Sequence, residues 1–488
     1  MRTCEAGLTS TDAFLIKFFP SIYEERKNTV IVNQYCKFDS QVLTLFSSSL
    51  FLSAMVAAFF AGPLTRSHGR KWTLFAGGLT YVVGACVSGV AVNFPMLLTG
   101  RILVGAGVGL SIQVAPLYIS EMAPAQQRGM LNILFQLMIT VGILSASMTN
   151  YLSSKIPGGW GWRIAVAFGA IPAAVIALGA LVIPDTPTSL IVRGDTATAR
   201  KTLLQIRGVG DVREEFDDLS AASEDAKAVA SPWRELFFGG KYKPQLTFAL
   251  LLPFFQQLTG INVIMFYAPV LFKTIGLGGD AALMSAVVTG LVNIAATFVS
   301  IATVDRLGRR KLFFQGGCQM LLCQVIVGTL IGVMFGGDDE AKIPRTSAAT
   351  VVAFICVYVA GFAWSWGPLG VLVPSEIFPL EIRPAGQGIN VAVNMLCTFA
   401  VAQAFLPMLC HLRFGLFYFF AGWVLAMTLF VAAFLPETKG VPIERMGTVW
   451  RAHWFWQRFV VDGTDAGAEN CDAEMDCCTK TKGNDIAL

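Results

Sequence analysis

Long apolar runs are the feature that most limits what this chain can fold into. A helix needs about 20 mostly apolar residues to cross the hydrocarbon core of a bilayer. Backbone polar groups in that core must be satisfied inside the segment itself, so the sequence predicts an all-α membrane protein. With 55% hydrophobic and 14% charged residues, the composition excludes an ordinary soluble domain. The eleven runs lie at 42–62, 72–92, 98–119, 131–152, 163–183, 246–270, 282–303, 312–335, 350–374, 388–409 and 414–435.

The distribution of basic residues predicts the orientation of these spans. One set of loops, together with the C-terminal tail, carries about 24 lysines and arginines against about five in the opposite loops, so this set is cytoplasmic by the positive-inside rule. The formal net charge of +4 is uninformative by itself. The resulting division is an extracellular lid segment at 1–41, a first half at 42–183, a cytoplasmic linker with short helices at 184–245, a second half at 246–435 and a cytoplasmic tail at 436–488.

A three-part cassette occurs twice and indicates that the chain is a duplicated half. Two parallel repeats of six spans describe the major facilitator fold. Because the first half has five runs where the second has six, we expect a first helix to be missing at the N-terminus, giving eleven spans of twelve. The copies are Gly69-Arg70-Lys71, Glu121-x2-Pro124-x3-Arg128 and Pro184-Asp185-Thr186, then Gly308-Arg309-Arg310, Glu376-x2-Pro379-x3-Arg383 and Pro436-Glu437-Thr438.

The charged residues of the cassette all fall at predicted cytoplasmic span ends. Carboxylate–arginine pairs there would hold the two halves together in one conformational state and release them in another, which is what a gate requires. Static capping of each half is the alternative. The predicted gate residues are Arg70, Glu121, Arg128, Arg309, Glu376 and Arg383.

Uncharged polar residues inside the spans are the candidates for ligand binding, because polar groups are costly in lipid. Amides both donate and accept hydrogen bonds, as an uncharged ligand rich in hydroxyls requires, and this points to a sugar or polyol. Interhelical packing is the alternative role for each residue. Arg101 is the one basic residue within a span, where it either snorkels outward or pairs with a carboxylate. The densest polar group contains Gln256, Gln257, Thr259 and Asn262; the others are Gln136, Thr140, Asn293, Asn394 and Thr398.

Several motifs together resemble the sugar porter family of the major facilitator superfamily, and within it the plant monosaccharide–proton symporters. The resemblance implies that Arg101 is the arginine of a proton-coupling pair, and that Cys36 and Cys410 pin the extracellular lid to the second half. The motifs are GRILVGAGVG (100–109), QQLTGINVIMFYAP (256–269), DRLGRR (305–310), PSEIFPLEIRPAGQ (374–387) and PETKG (436–440). The implied hexose-binding residues are Gln136, Gln256, Gln257, Asn262, Asn293, Asn394 and Thr398.

Two positions depart from the family pattern. Counting back from Gly7 places the coupling aspartate of the family at Met1, so the partner of Arg101 is expected to be absent and proton coupling weak. The family's sugar-stacking tryptophan is replaced by Val371.

The sequence predicts a hexose transporter that works by alternating access, with proton symport implied by the resemblance. The alternatives are an uncoupled or inactive truncated carrier and a sugar sensor. No nucleophile–base pair or metal cluster appears in the spans, so an enzyme is not expected. We expect no metal and no cofactor other than the coupling proton. The expected partners are a monosaccharide and membrane lipid, without nucleic acid. The expected state is a multi-pass monomer in the plasma membrane.

Overall fold

The computed structural model confirms the predicted all-helical architecture. It describes residues 12–24 except 22, 41–124, 126–156, 160–208, 211–229, 231–262, 264, 281–335, 345–412, 414–441 and 446–460. Within these ranges, ten helical segments are long and apolar enough to cross a membrane. They correspond to ten of the eleven predicted runs, and the remaining run, 246–270, is described only in its first part.

Close helix packing defines the first half. Small residues let the backbones of neighbouring membrane helices approach each other. A Cβ added at Gly84 would overlap the backbone of the helix containing Gly100, and one at Gly105 would overlap Leu50. The helices of this half are α1 (Asp12–Phe18), α2 (Gln41–His68), α3 (Arg70–Gly89), α4 (Phe94–Met122), α5 (Arg128–Ser154), α6 (Gly161–Phe168) and α7 (Ala170–Val182).

Four short helices occupy the segment between the two halves. Asp195 caps the helix Thr196–Arg207 by accepting a hydrogen bond from the Thr198 amide, and Gly208 ends it in the left-handed conformation. Arg207 fixes the linker to the first half by donating to the Met122 carbonyl at 2.9 Å. The linker helices are α8 (Pro187–Val192), α9 (Thr196–Arg207), α10 (Arg213–Ala228) and α11 (Pro232–Phe238).

The second half contains two interruptions in its helices. The first membrane helix ends at Gln257, ahead of Gly260 with φ +82°. Another break lies at Ser365, between two consecutive helices. The helices are α12 (Lys243–Gln257), α13 (Ala281–Leu307), α14 (Arg309–Phe335), α15 (Arg345–Trp364), α16 (Trp366–Ile377), α17 (Arg383–Leu412) and α18 (Gly415–Phe434), followed by α19 (Met446–Ala452) in the tail and a 3₁₀ turn (Trp456–Arg458).

The two halves meet mainly where α17 packs against α2 and α13 packs against α5. The approach is close on the side predicted to be cytoplasmic, where a Cβ at Gly62 would lie 3.1 Å from the Pro384 carbonyl oxygen. In the tail, Trp450 is fully buried and its ring centroid lies 5.6 Å from that of Phe248 on α12. The aromatic tail segment therefore packs under the second half.

Candidate functional site

The centre of the site is a group of hydrogen-bonded amides between α12, α16 and α17. The Gln256 Nε2 donates to the carbonyls of Trp366 and Gly367 at 3.0 and 2.9 Å. The Asn394 Nδ2 donates to the Gln256 Oε1 at 2.8 Å, and the Gln257 Nε2 donates to the Asn394 Oδ1 at 3.3 Å. Three residues that were predicted from sequence are thus brought together by the fold.

Local unwinding of the helices makes this convergence possible. Gln256 and Gln257 would point about 100° apart on an intact helix, but α12 ends at Gln257. Side chains satisfy the backbone that the break releases: the Thr259 carbonyl accepts from the Gln324 Nε2 at 2.7 Å and from the Tyr358 hydroxyl at 2.6 Å. Such partners are what membrane protein interiors require wherever a helix is broken.

The first half contributes Gln136 from α5 to the same region. Its Nε2 would lie 3.5 Å from a Cβ built on Gly367, so α5 reaches the helix break between α15 and α16. The other predicted residues, Asn262, Asn293 and Thr398, form no side-chain hydrogen bond to the central amides in the described part of the chain. Asn293 and Thr398 are buried, and the Asn293 Oδ1 has no hydrogen-bond partner among the described residues.

Aromatic residues near the central amides occupy different environments. Trp366 is fully buried, its ring centroid lies 4.6 Å from that of Phe313, and its Nε1 donates to the Phe313 carbonyl. Trp364 is half-buried, and its indole N–H lacks a partner within the described residues. Val371 lies on α16, next to Gly370, whose added Cβ would lie 2.6 Å from the Gln256 Nε2. The backbone of α16 therefore approaches the amides closely at Gly370.

Arg101 is buried in the first half, with an exposed fraction of 7%. Its guanidinium carbon lies 3.9 Å from the ring centroid of Phe46, a distance at which the ring face attracts a cation. The snorkelling arrangement considered from sequence is therefore not the one adopted.

The cytoplasmic charges form one cluster in each half. In the first-half cluster, the Arg70 Nη2 lies 2.7 Å from the Glu121 Oε1, and the Thr186 hydroxyl donates to the Glu121 Oε2 at 2.6 Å. The Asp185 carboxylate accepts from the Arg70 amide at 3.1 Å. Arg70 and Glu121 are almost completely buried.

The second-half cluster repeats these contacts with the matching residues. The Arg309 Nη2 lies 2.7 Å from the Glu376 Oε1, and the Thr438 hydroxyl donates to the Glu376 Oε2 at 2.8 Å. The Glu437 carboxylate accepts from the Arg309 amide at 2.8 Å. The second-half cluster also contains an ion pair between Arg309 and Asp305, at 2.9 Å.

The contacts that join the two halves are made by residues other than the main arginine–glutamate pair of each cluster. The pairs Arg70–Glu121 and Arg309–Glu376 each lie within one half, so they do not themselves hold the two halves together. The Arg383 Nη1 crosses to the Glu121 Oε1 at 3.5 Å, whereas the Arg128 Nε donates to the Ser120 carbonyl of its own half.

Among the described residues, three polar contacts that we did not predict also cross between the halves at the end where the charge clusters lie. The Asp305 Oδ2 accepts from the Met130 amide at 2.8 Å, the Asn132 Nδ2 donates to the Ser375 hydroxyl at 2.9 Å, and the Gln113 Nε2 donates to the Pro384 carbonyl at 3.3 Å. The cytoplasmic ends of the halves are thus held together. Asn132 and Gln113 were visible as polar residues within apolar runs, but nothing in the sequence indicated their partners.

Comparison with known proteins decides the family. The model of the family described as "Sugar (and other) transporter" matches residues 5–450. The chain belongs to this sugar transporter family. It is 64% identical over 459 residues to "Sugar transport protein MST2" of Oryza sativa subsp. japonica, an alignment that covers 93% of this chain and 88% of that protein. Members of the family are membrane transporters, so the protein is a multi-pass sugar transporter of the major facilitator superfamily and not an enzyme.

Solved structures of a similar transporter agree with the fold. The chain resembles the proton:xylose symporter XylE bound to 6-bromo-6-deoxy-D-glucose, with a TM-score of 0.76 and 27% identity over 92% of this chain and 97% of that chain. Against the partially occluded inward open conformation of XylE from E. coli the TM-score is 0.66, at 25% identity over 90% and 97% of the two chains.

The predicted disulfide of this sugar transporter lies outside the described residues. Cys36 falls in the range 25–40, and the side chain of Cys410 is likewise outside the description. The pairing of these two cysteines therefore stays a prediction.

Proposed function

We propose that the protein is a proton-coupled hexose transporter of the plasma membrane, and that it works by alternating access. The observation that carries the proposal is the group of Gln256, Gln257 and Asn394, in which amides converge between broken helices inside an apolar bundle. Each amide offers both a donor and an acceptor, which suits the hydroxyls of an uncharged sugar. Similarity to a protein named a sugar transport protein supports the same substrate class.

Sugar release to the cytoplasm requires the inner contacts to break. In the state described here, Asp305, Asn132, Gln113 and Arg383 bridge the halves on that side. Rocking of one half against the other would separate these contacts while leaving Arg70–Glu121 and Arg309–Glu376 intact within their halves. The two internal clusters then act as rigid parts of the halves, and the bridging contacts act as the gate.

Proton coupling is assigned to the environment of Arg101. The interaction between a buried cation and a nearby titrating group changes when that group gains or loses a proton. The buried position of Arg101 beside Phe46 therefore suits a coupling role. Similarity to a solved proton:xylose symporter supports this part of the proposal.

Uptake measurements in proteoliposomes test both parts. We expect the full chain to take up labelled D-glucose, and an inward proton gradient to stimulate that uptake only weakly, in line with the weak coupling expected from the sequence; a protonophore should abolish the stimulation. Asn394→Ala removes a residue that contacts both glutamines, so glucose binding should weaken by about 5–100-fold, the loss of one to two hydrogen bonds in a buried site. The matched control is Asn150→Ala, an amide at the outer end of α5 away from these contacts. Uptake that ignores the gradient would support an uncoupled carrier, and glucose binding without uptake would support a sensor.

A further inference from the structure

Two buried amides occupy the same place in the two repeats, behind the gate. Asn132 follows Arg128 by four residues on α5, and Gln387 follows Arg383 by four residues on α17. Four residues of α-helix span about 6 Å, roughly one turn. Each amide therefore lies one turn deeper in the membrane than the gate arginine of its half.

The two equivalent amides differ in their hydrogen bonding. Asn132 donates across the halves to Ser375, the residue before Glu376. The counterpart of that bond would join Gln387 to Ser120, the residue before Glu121, but no such bond forms. Gln387 is 1% exposed, and neither its Nε2 nor its Oε1 has a hydrogen-bond partner among the described residues.

A second orphaned amide lies one turn further along the same helix. Asn390 is 4% exposed, and its Oδ1 has no partner in the described part of the chain. Gln387, Asn390 and Asn394 are spaced i, i+3 and i+7, so they share one face of α17. Asn394 belongs to the central amides, and seven residues of helix place Gln387 about 10 Å closer to the cytoplasm. This face of α17 is therefore a polar track that runs from the central site to the gate.

Orphaned amides are costly in the closed state. A buried amide group without a hydrogen bond destabilises the fold, because it has lost water and gained no partner. Val391, one turn after Gln387 on α17, packs in one apolar cluster with Ala54 and Ala58 of α2 in the first half. Separation of the halves would therefore expose this face of α17 to the gap between them. A passing sugar presents hydroxyl groups there, and the amides can both donate to them and accept from them.

We propose that Gln387 and Asn390 form a second subsite for sugar hydroxyls, between the central amides and the cytoplasmic gate, which is occupied while a monosaccharide leaves. The inference rests on the proposed transport function. It assigns these residues to the release step, so they act when the cytoplasmic side is open and not when sugar binds from outside.

Kinetics measured separately from each side test the subsite. The variants are Gln387→Leu, which keeps the volume and removes the amide, and Gln387→Asn, which keeps an amide. The probe is labelled D-glucose, moved by the full chain in either direction. Gln387→Leu should raise the KM on the cytoplasmic side about 3–10-fold, the value of one hydrogen bond to an uncharged group, and leave the outside KM within about twofold. Gln387→Asn should recover part of the loss.

The control variant is Gln315→Leu, which removes an exposed amide on α14 that bonds to Gln319 at 3.0 Å. It should leave both KM values unchanged. Equal shifts of the inside and outside KM in Gln387→Leu would place Gln387 in the central site and overturn the subsite, as would wild-type values on both sides. Absence of glucose transport by the wild-type chain would instead overturn the proposed function, and the subsite with it.

Thermal stability gives an independent measurement that needs no transport. In the absence of sugar, Gln387→Leu should raise the unfolding temperature by a few degrees, because it removes an unsatisfied buried amide. Gln315→Leu should leave it unchanged. A lower unfolding temperature for Gln387→Leu would mean that the amide has a structural partner, and this would contradict the subsite.

Discussion

The two cytoplasmic clusters are built from the same residues, yet they are not equivalent. In both, a buried arginine pairs with a glutamate that also accepts from a threonine hydroxyl, and a second carboxylate accepts from the backbone amide of the arginine. The second-half cluster has Asp305 in addition, three residues before Gly308. The matching position before Gly69 in the first half is Arg66.

This charge difference gives Asp305 and Arg66 different neighbours. Asp305 pairs with Arg309 and accepts from the Met130 amide, so the second-half cluster reaches the N-terminus of α5 across the gate. Arg66 instead donates to the carbonyls of Ala226 and Val229 at 3.5 Å, at the C-terminal end of α10. An anion is favourable at a helix N-terminus and a cation at a C-terminus. Asp305 thus connects the second-half cluster to the opposite half, whereas Arg66, at the matching position, contacts the linker.

The largest effect should come from removing the shared glutamates one at a time. Glu121→Gln leaves Arg70 buried without an ion-pair partner in the described structure and also removes the carboxylate facing Arg383. Loss of one partner from a buried pair costs about 3–5 kcal/mol. In Glu376→Gln, Arg309 still has Asp305, so we expect a loss of roughly half that size. Chemical or thermal unfolding of the two purified variants would show which one loses more stability. Equal losses of stability would show that Asp305 does not stabilise the charge of Arg309.

A smaller effect is expected at the bridge between the halves. Asp305→Asn removes the negative charge at the N-terminus of α5, where such a charge contributes about 0.3–2 kcal/mol. The closed state should lose population. Hydrogen–deuterium exchange of residues 128–132 should then become faster, while exchange in residues 70–74 stays the same. Unchanged exchange at the start of α5 would argue that this contact does not hold the gate.

The smallest effect should come from giving the first half the charge of the second. Arg66→Asp would place an anion at the C-terminus of α10, which is unfavourable by about 0.3–1 kcal/mol. Exchange in residues 213–229 should become faster, and transport should change little. Arg200→Asp, an exposed site on α9, is the matched control with the same charge change. An equal response in both variants would show that net charge, and not the contact of Arg66, is responsible.

Much of the site was predictable from the sequence alone, because a polar residue inside an apolar run can be recognised from its neighbours in the chain. Gln256, Gln257 and Asn394 were visible as amides inside apolar runs, and they do converge. Gln113, Asn132 and Gln387 lie in equally apolar surroundings, but their importance depends on what lies opposite them. The sequence does not show which residues lie opposite, because Ser375 and Pro384 are more than two hundred residues away from their partners Asn132 and Gln113.

The sequence by itself determined the membrane class, the repeat and the inventory of polar groups, because run length, charge and motif spacing are properties of neighbouring residues. Tertiary structure decided how those groups are used. It paired Arg70 and Arg309 within their own halves, buried Arg101 against Phe46, and bonded Asn132 to Ser375 while leaving Gln387 without a hydrogen-bond partner among the described residues. The physical reason is that helix crossings bring together side chains from distant segments, and one packing arrangement cannot satisfy both copies of a repeat alike.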